Sequence, residues 1–302
     1  MEFRTLNAFA EVVRQGGFSQ AAKTVFATQS TVSKAVKQLE DEIGLQLLDR
    51  SLHPPRLTPP GEIVYARALR LLAERADLAA ELAELRGLAR GVLRLGLPPV
   101  GSAMLFAPLF ALYRKRYPGI DIRLVEYGAT RLEEMLFSGE IELAATLLPV
   151  SEALEWQSIR HEPLVVLLPA GHALTGRAIV DLAALRDLPF ILFEEGFAIN
   201  RVIREGCQRH GFDPHVVAQS SQIDFVSELV AADLGIAFLP RLIAEQRPHP
   251  QVTTVLLAES RVDWHLAMVW RRGGYISHAS RAWLALVRES GAIGDGTTSR
   301  GS

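Results

Sequence analysis

A chain of 302 residues, 49% apolar and 22% charged, is long enough for about two domains and apolar enough to bury their cores. Its formal net charge of −2 counts against a protein that holds nucleic acid through a broad basic surface, but not against a small reading head on a neutral body. One cysteine, Cys207, excludes an internal disulfide and a cysteine-rich zinc site, which suits a reducing cytoplasm. With Val202 and Ile203 on the apolar face of a helix, that thiol reads as buried and structural. The N-terminus lacks the basic start and apolar core of a secretory signal. Residues 92–112 are largely apolar, yet Pro98, Pro99 and Pro108 interrupt them, so a strand, turn and helix are expected rather than a membrane span.

In chain order, residues 2–14 place Phe3, Leu6, Phe9, Ala10 and Val13 at helical spacing, and Gly16-Gly17 stops that helix. Ser19 reads as the N-cap of a short helix over 20–26. Thr28 caps a second helix that carries Val32, Val36, Leu39 and Ile43 and ends at Gly44. Two short helices joined by a tight turn after a supporting helix form a helix-turn-helix pattern centred on residues 28–42. Segments 47–50 and 56–58 around His53-Pro54-Pro55 read as a two-stranded wing. This unit, residues 1–58, is all-α apart from its wing.

Thr58-Pro59-Pro60-Gly61 opens a long breaker-free helix over 59–89. Val64, Leu71, Leu78 and Leu85 recur every seven residues, with Leu82 at a companion position and Arg75 as a misfit. A free-standing helix with such a seam pairs with a second copy of itself. From residue 90 strands and helices alternate, indicating an α/β domain with parallel sheet over 90–290. Strands are expected at 92–97, 120–126, 143–148, 164–169, 190–193, 216–219, 236–239 and 266–270. Helices are expected at 105–116, 131–137, 199–210 and 223–232. The Gly-, Thr- and Ser-containing tail 291–302 reads as disordered.

A recognition helix needs short polar and basic side chains on one face while the other packs on its domain. Gln29, Ser30, Thr31, Ser33, Lys34 and Lys37 occupy the outward face here, opposite Val32, Val36 and Leu39. Gln can read adenine bidentately, Ser and Thr can bond bases or phosphates, and Lys suits phosphate or guanine. Arg50, His53 and Arg56 would let the wing touch the flanking backbone. In the α/β half, the turn before Ser102 and the turn Gly128-Ala129-Thr130 each precede a helix. Free N–H groups and the positive dipole end at such turns suit a carboxylate or other anion.

At Leu6-Asn7-Ala8-Phe9, Gly17-Phe18-Ser19-Gln20-Ala21-Ala22, Gln29-Ser30-Thr31-Val32-Ser33 and Lys37-Gln38-Leu39-Glu40-Asp41-Glu42-Ile43-Gly44, the chain resembles the LysR-type transcriptional regulators. Leu47-Leu48-Asp49-Arg50 and Leu57-Thr58-Pro59-Pro60-Gly61 continue the likeness, which is dense to about residue 66 and collinear to about 289. At the wing this chain has Leu52-His53-Pro54-Pro55 where the family pattern carries basic and glycine residues. The resemblance implies a winged helix-turn-helix, a dimerising linker helix and a periplasmic-binding-protein-like effector domain of two lobes. Lobe I would hold about 91–162 and 266–290, and lobe II about 163–265. It also implies a homodimer or homotetramer on an imperfect palindrome of double-stranded DNA, RNA polymerase as a further partner, and a small-molecule effector between the lobes.

Ser102, Gly128, Ala129, Thr130, Phe197, Arg201, Gln222 and Ile223 are the candidate effector contacts. Phe197 could stack on a ligand, Phe193 reads as core, Arg201 and Arg160 are candidate counter-charges, and Glu194 and Glu195 are expected to point outward. The position of Ala129 is commonly Ser or Thr in relatives, so Thr130 would have to supply that hydroxyl. No phosphate loop, His-Glu-x-x-His or Gly-x-Ser-x-Gly pattern occurs, the eight histidines lack metal-ligand spacing, and no enzyme, cofactor or metal is expected. The alternatives are a small-molecule binding or transport receptor and, behind it, an enzyme. Both leave the helix-turn-helix unexplained.

Overall fold

The computed structural model describes residues 1–52, 54–85, 91–258 and 262–290, with only the backbone considered at 83–85. Expectations for His53, the side chain of Leu85, residues 86–90 and the tail 291–302 lie outside the described residues. The chain divides into two units, Met1–Leu88 with Phe137–Glu140, and Ala89–Leu136 with Ile141–Ser302.

In the first unit, α1 (Phe3–Arg14), α2 (Phe18–Thr24) and α3 (Gln29–Ile43) precede a ribbon of β1 (Leu48–Asp49) and β2 (Arg56–Leu57), then α4 (Pro59–Leu85). Leu6, Phe9 and Val12 of α1 bury against Ala21 and Ala22 of α2 and against Val32, Val36 and Leu39 of α3. The apolar spacing of each helix thus becomes one shared core. Thr28 caps α3, its hydroxyl accepting from Thr31 N–H at 3.2 Å, and Gly44 closes that helix at φ +75°. Ser19 is not a cap. The helix begins two residues earlier, at Phe18, with Gly17 at its N-cap position, and Ser19 lies within α2.

Thr58 joins the ribbon to α4. Its hydroxyl donates to the Gln46 carbonyl at 2.6 Å and accepts from Gly61 N–H at 3.1 Å. Gly61 leaves this joint no room for a side chain. A Cβ there would lie 2.0 Å from the Leu47 carbonyl oxygen.

The second unit runs β3 (Val92–Leu97), α5 (Ser102–Arg116), β4 (Asp121–Glu126), α6 (Ala129–Phe137), β5 (Leu143–Leu147) and β6 (Leu154–Pro169). It continues through β7 (Ile179–Val180), a 3-10 turn, β8 (Pro189–Phe193), α7 (Ala198–Arg209), β9 (His215–Ser220) and α8 (Ile223–Ala231). The final elements are β10 (Ala237–Pro240), α9 (Arg241–Gln246), β11 (Val252–Leu257), β12 (Asp263–Arg271) and α10 (His278–Glu289). The sheet order is β4-β3-β5-β12-β6-β11-β7, with β10 also on β6. It is mixed rather than parallel: β3 is parallel to β4 and β5, whereas β12 is antiparallel to β5 and β6.

Strand β6 serves both lobes. Its first part, 154–163, pairs with β12, and its last residues pair with β11 and β10. The expectation of a strand only over 164–169 captured the second half, and β7, β11, α9 and α10 were not anticipated. Pro108 sits inside α5, in its first half, without ending the helix. Trp283 of α10 is fully buried and stacks on Phe110 of α5 at 4.8 Å, fastening the C-terminal helix to the first lobe.

Candidate functional site

The outward face of α3 is built by the packing of its inward face. Val32, Ala35, Val36 and Leu39 are buried, which leaves Gln29, Ser30, Lys34 and Lys37 exposed and Thr31 and Ser33 half-buried. Thr28 Oγ1 lies 2.9 Å from Ser30 Oγ and 2.8 Å from Thr31 Oγ1, a chain of hydroxyls around the helix N-terminus. Gln29 Oε1 accepts from Ser19 Oγ at 3.1 Å, which aims the amide from the neighbouring helix.

Glu40 is the organiser of the wing. Its carboxylate accepts from Leu47 N–H at 2.9 Å, Leu48 N–H at 3.3 Å and the Arg50 guanidinium at 2.5 Å. Arg50 therefore carries an internal ion pair and lies 5.3 Å over the Phe18 ring, while Arg56 is exposed on β2. Asp49, opposite Arg56 in the ribbon, is held below the usual carboxylate range by hydrogen bonds from the Ser51 hydroxyl and N–H. On α4, Leu71, Leu78 and Leu82 are exposed, whereas Val64 packs on the reading-head core.

In the second unit, a recess of about 760 Å³ opens between the α6 N-terminus and the start of α7. Ala129, Thr130 and Glu133 line one wall, Phe197, Arg201 and Arg204 the other, with Pro149 to Ser151 between them. Behind it, a small apolar hollow of about 20 Å³ is bounded by Pro98, Val100, Gly128, Thr146, Phe197 and Trp264. The walls nearly touch at one place: a Cβ on Gly128 would lie 2.8 Å from the Gly196 carbonyl oxygen. Gly196 adopts φ +86°, so the loop bends there without strain.

Arg201 reaches from α7 to the end of β5, donating to the carbonyls of Pro149 at 2.8 Å and Leu147 at 3.0 Å. Burial pushes the Glu133 carboxyl above its ordinary value, and the Arg201 charge opposes that shift. Asn200, buried, accepts from Phe193 N–H and donates to the carbonyls of Phe193 and Glu194, which holds the loop before α7.

Gly128, Ala129, Thr130, Phe197 and Arg201 thus meet around the two hollows, while Ser102, Gln222 and Ile223 line neither. The buried Ser102 hydroxyl donates back to the Pro98 carbonyl. Phe193 is core, as expected, and Phe197 stacks on it at 5.4 Å while also lining the recess. Glu195, expected outward, lines the recess, whereas Arg160 is held by Glu162. Sequence reasoning missed Glu133, Arg204 and Trp264. Arg204 was findable, since it follows Arg201 by three and shares its helix face.

Two family descriptions match the chain: bacterial regulatory helix-turn-helix protein, lysR family, over residues 3–62, and LysR substrate binding domain over residues 86–292. The chain belongs to the LysR family. It is a DNA-binding transcriptional regulator with an effector-binding domain of that family's type. LysR-family relatives match along nearly the whole chain. The uncharacterized HTH-type transcriptional regulator YwbI of Bacillus subtilis is 34% identical over 285 residues, covering 94% of this chain and 95% of its own. The HTH-type transcriptional regulator BudR of Raoultella terrigena is 32% identical, covering 90% and 95%.

Among solved LysR-like structures, a mutant of full-length BenM superposes with a TM-score of 0.60 at 25% identity, covering 97% of each chain. Among the described residues no helix is long and apolar enough to cross a membrane, and no group of three or more His, Cys, Asp and Glu could hold a metal ion.

Proposed function

We propose that α3 reads base edges in a major groove, that α4 pairs two copies on an imperfect palindrome, and that a small anion in the recess of the second unit tunes the reader. The observation that carries this reading is the division of α3, with a fully buried apolar face and an exposed row of Gln29, Ser30, Lys34 and Lys37. A net charge of −2 fits specificity that comes from few contacts repeated by symmetry rather than from a protein basic overall. The exposed Leu71, Leu78 and Leu82 of α4 support a homodimer, and a homotetramer built from two of them. Arg50 belongs to this reading as a positioning residue through Glu40, with Arg56 as the wing's available cation. RNA polymerase and a cytoplasmic setting enter through the family's work as transcriptional regulators.

Support for an anionic effector is the α6 N-terminus beside Thr130, with Arg201 and Arg204 across the recess. Two carboxylates line the same recess: burial favours the protonated form of Glu133, which weakens its opposition to an anion, and Glu195 lies exposed to solvent at the rim.

The test of the DNA reading begins with duplexes that the full chain selects from a random-sequence library. On these, Gln29→Ala should lose about 1–3 kcal/mol at one base pair and relax preference there, whereas Lys34→Ala should weaken all sequences alike. Gel shifts in which neither variant differs from wild type would refute α3 as the reader.

A further inference from the structure

The turn between α2 and α3 holds an arrangement that the packing of neither helix explains. After Thr24, Phe26 N–H donates to the Lys23 carbonyl at 3.3 Å and Ala27 N–H to the Ala22 carbonyl at 2.9 Å. This pair of bonds ends a helix on a left-handed residue, a place that glycine or asparagine fills at least cost. Here it is filled by Phe26, at φ +53°. The same side chain is 97% exposed, more than any other large apolar side chain among the described residues. A bulky aromatic in this conformation and in water is disfavoured twice, once by its backbone and once by its hydration. Strain and exposure meeting in one residue beside a binding surface point to an external partner.

The surroundings say which partner. Lys23 and Thr24 are exposed before Phe26, and Thr28, Gln29 and Ser30 are exposed after it. A reading helix enters the groove N-terminus first, while the preceding helix crosses the sugar-phosphate strand at the rim. The turn joining the two helices is carried to that strand.

We propose that Phe26 lays its ring on the deoxyribose edge of the strand bordering the major groove, with Lys23 and Thr24 meeting the adjacent phosphates. The inference rests on α3 being the DNA reader. A sugar contact carries no sequence information, so Phe26 would set how deeply α3 seats rather than which bases it prefers.

Two variants of the full chain test this on a duplex selected by the wild type and on a shuffled duplex of equal length. Phe26→Asn relieves the backbone and removes the ring, while Phe26→Tyr keeps the ring. The Asn variant should bind both duplexes about tenfold more weakly, as expected when part of an aromatic burial is forfeited. Its salt dependence should keep the wild-type slope, since no charge is lost, and its melting temperature should be no lower. The Tyr variant should bind as wild type does.

Wild-type affinity in the Asn variant, a loss confined to the selected duplex, or equal losses in both variants would overturn the sugar contact and leave the DNA reading standing. If the wild type enriches no duplex at all, the DNA reading fails, and this inference with it.

Discussion

Glu133 shows how one carboxyl can bias a binding recess. Burial raises its pKa in the folded chain, so the folded state holds a proton that the unfolded state releases more easily. In the window from the ordinary glutamate value up to the raised one, the folded state binds more protons, and stability falls as pH rises. Glu133→Gln removes that slope. Thermal unfolding should show the variant gaining on wild type as pH rises above the ordinary glutamate value; a constant difference would reject the assignment.

Such residues were only partly legible beforehand. A serine opening a helix can cap, bind a ligand or bond backwards, and Ser102 takes the third course toward Pro98, a choice that only the turn's geometry decides. The recess face of Arg201 was visible as a charge, but its engagement with the Leu147 and Pro149 carbonyls depends on two segments far apart in sequence.

The helices of the reading head were the most readable elements, because their apolar period sets which face is buried. Strand β6 was half read for the opposite reason. Its residues 154–163 carry Glu155, Gln157, Arg160, His161 and Glu162 and end at Pro163, a polar stretch made into strand by β12 alongside it. The α4 seam was also only partly what its heptads suggested, since Val64 turns to the reading head while Leu71, Leu78 and Leu82 stay exposed. At this scale the joint between β1 and α4 is the most exacting feature. Gly61→Ala puts a methyl group into the Leu47 carbonyl, and an overpacked contact of this kind costs about 1–3 kcal/mol. The reading head should melt earlier while the second unit melts as before. A variant with an unchanged first transition would show that the joint yields freely.

For the whole effector unit, Gly128 and Arg201 lie where a closure of the proposed recess on a ligand would be felt. Gly128 lets a lobe I loop meet the Gly196 carbonyl, and Arg201 ties α7 to the end of β5. A ligand shifts such an equilibrium only by binding its two states unequally. Gly128→Ala should therefore hold the two walls slightly apart and cost a closed state about 1–3 kcal/mol, or roughly 5- to 150-fold in affinity for any ligand that needs closure. Calorimetry of wild type and variant against a panel of small carboxylates checks both halves of the idea. Heat from no carboxylate would refute the anion class, while equal affinities in the two proteins would refute closure as the binding step.

The Gly61 contact also makes a lever. With Thr58 bonded to both sides, Ala68 in the reading-head core and Val64 and Tyr65 packed against it, α3 and the first turns of α4 share one core. A helix of 27 residues is an arm of about 40 Å. Swinging such an arm by about 10° carries its tip about 7 Å, close to two base-pair steps of a DNA strand. If two copies pair through α4 as proposed, a small change in how the two arms cross would be magnified into a shift of register between the readers, with no rearrangement inside either one.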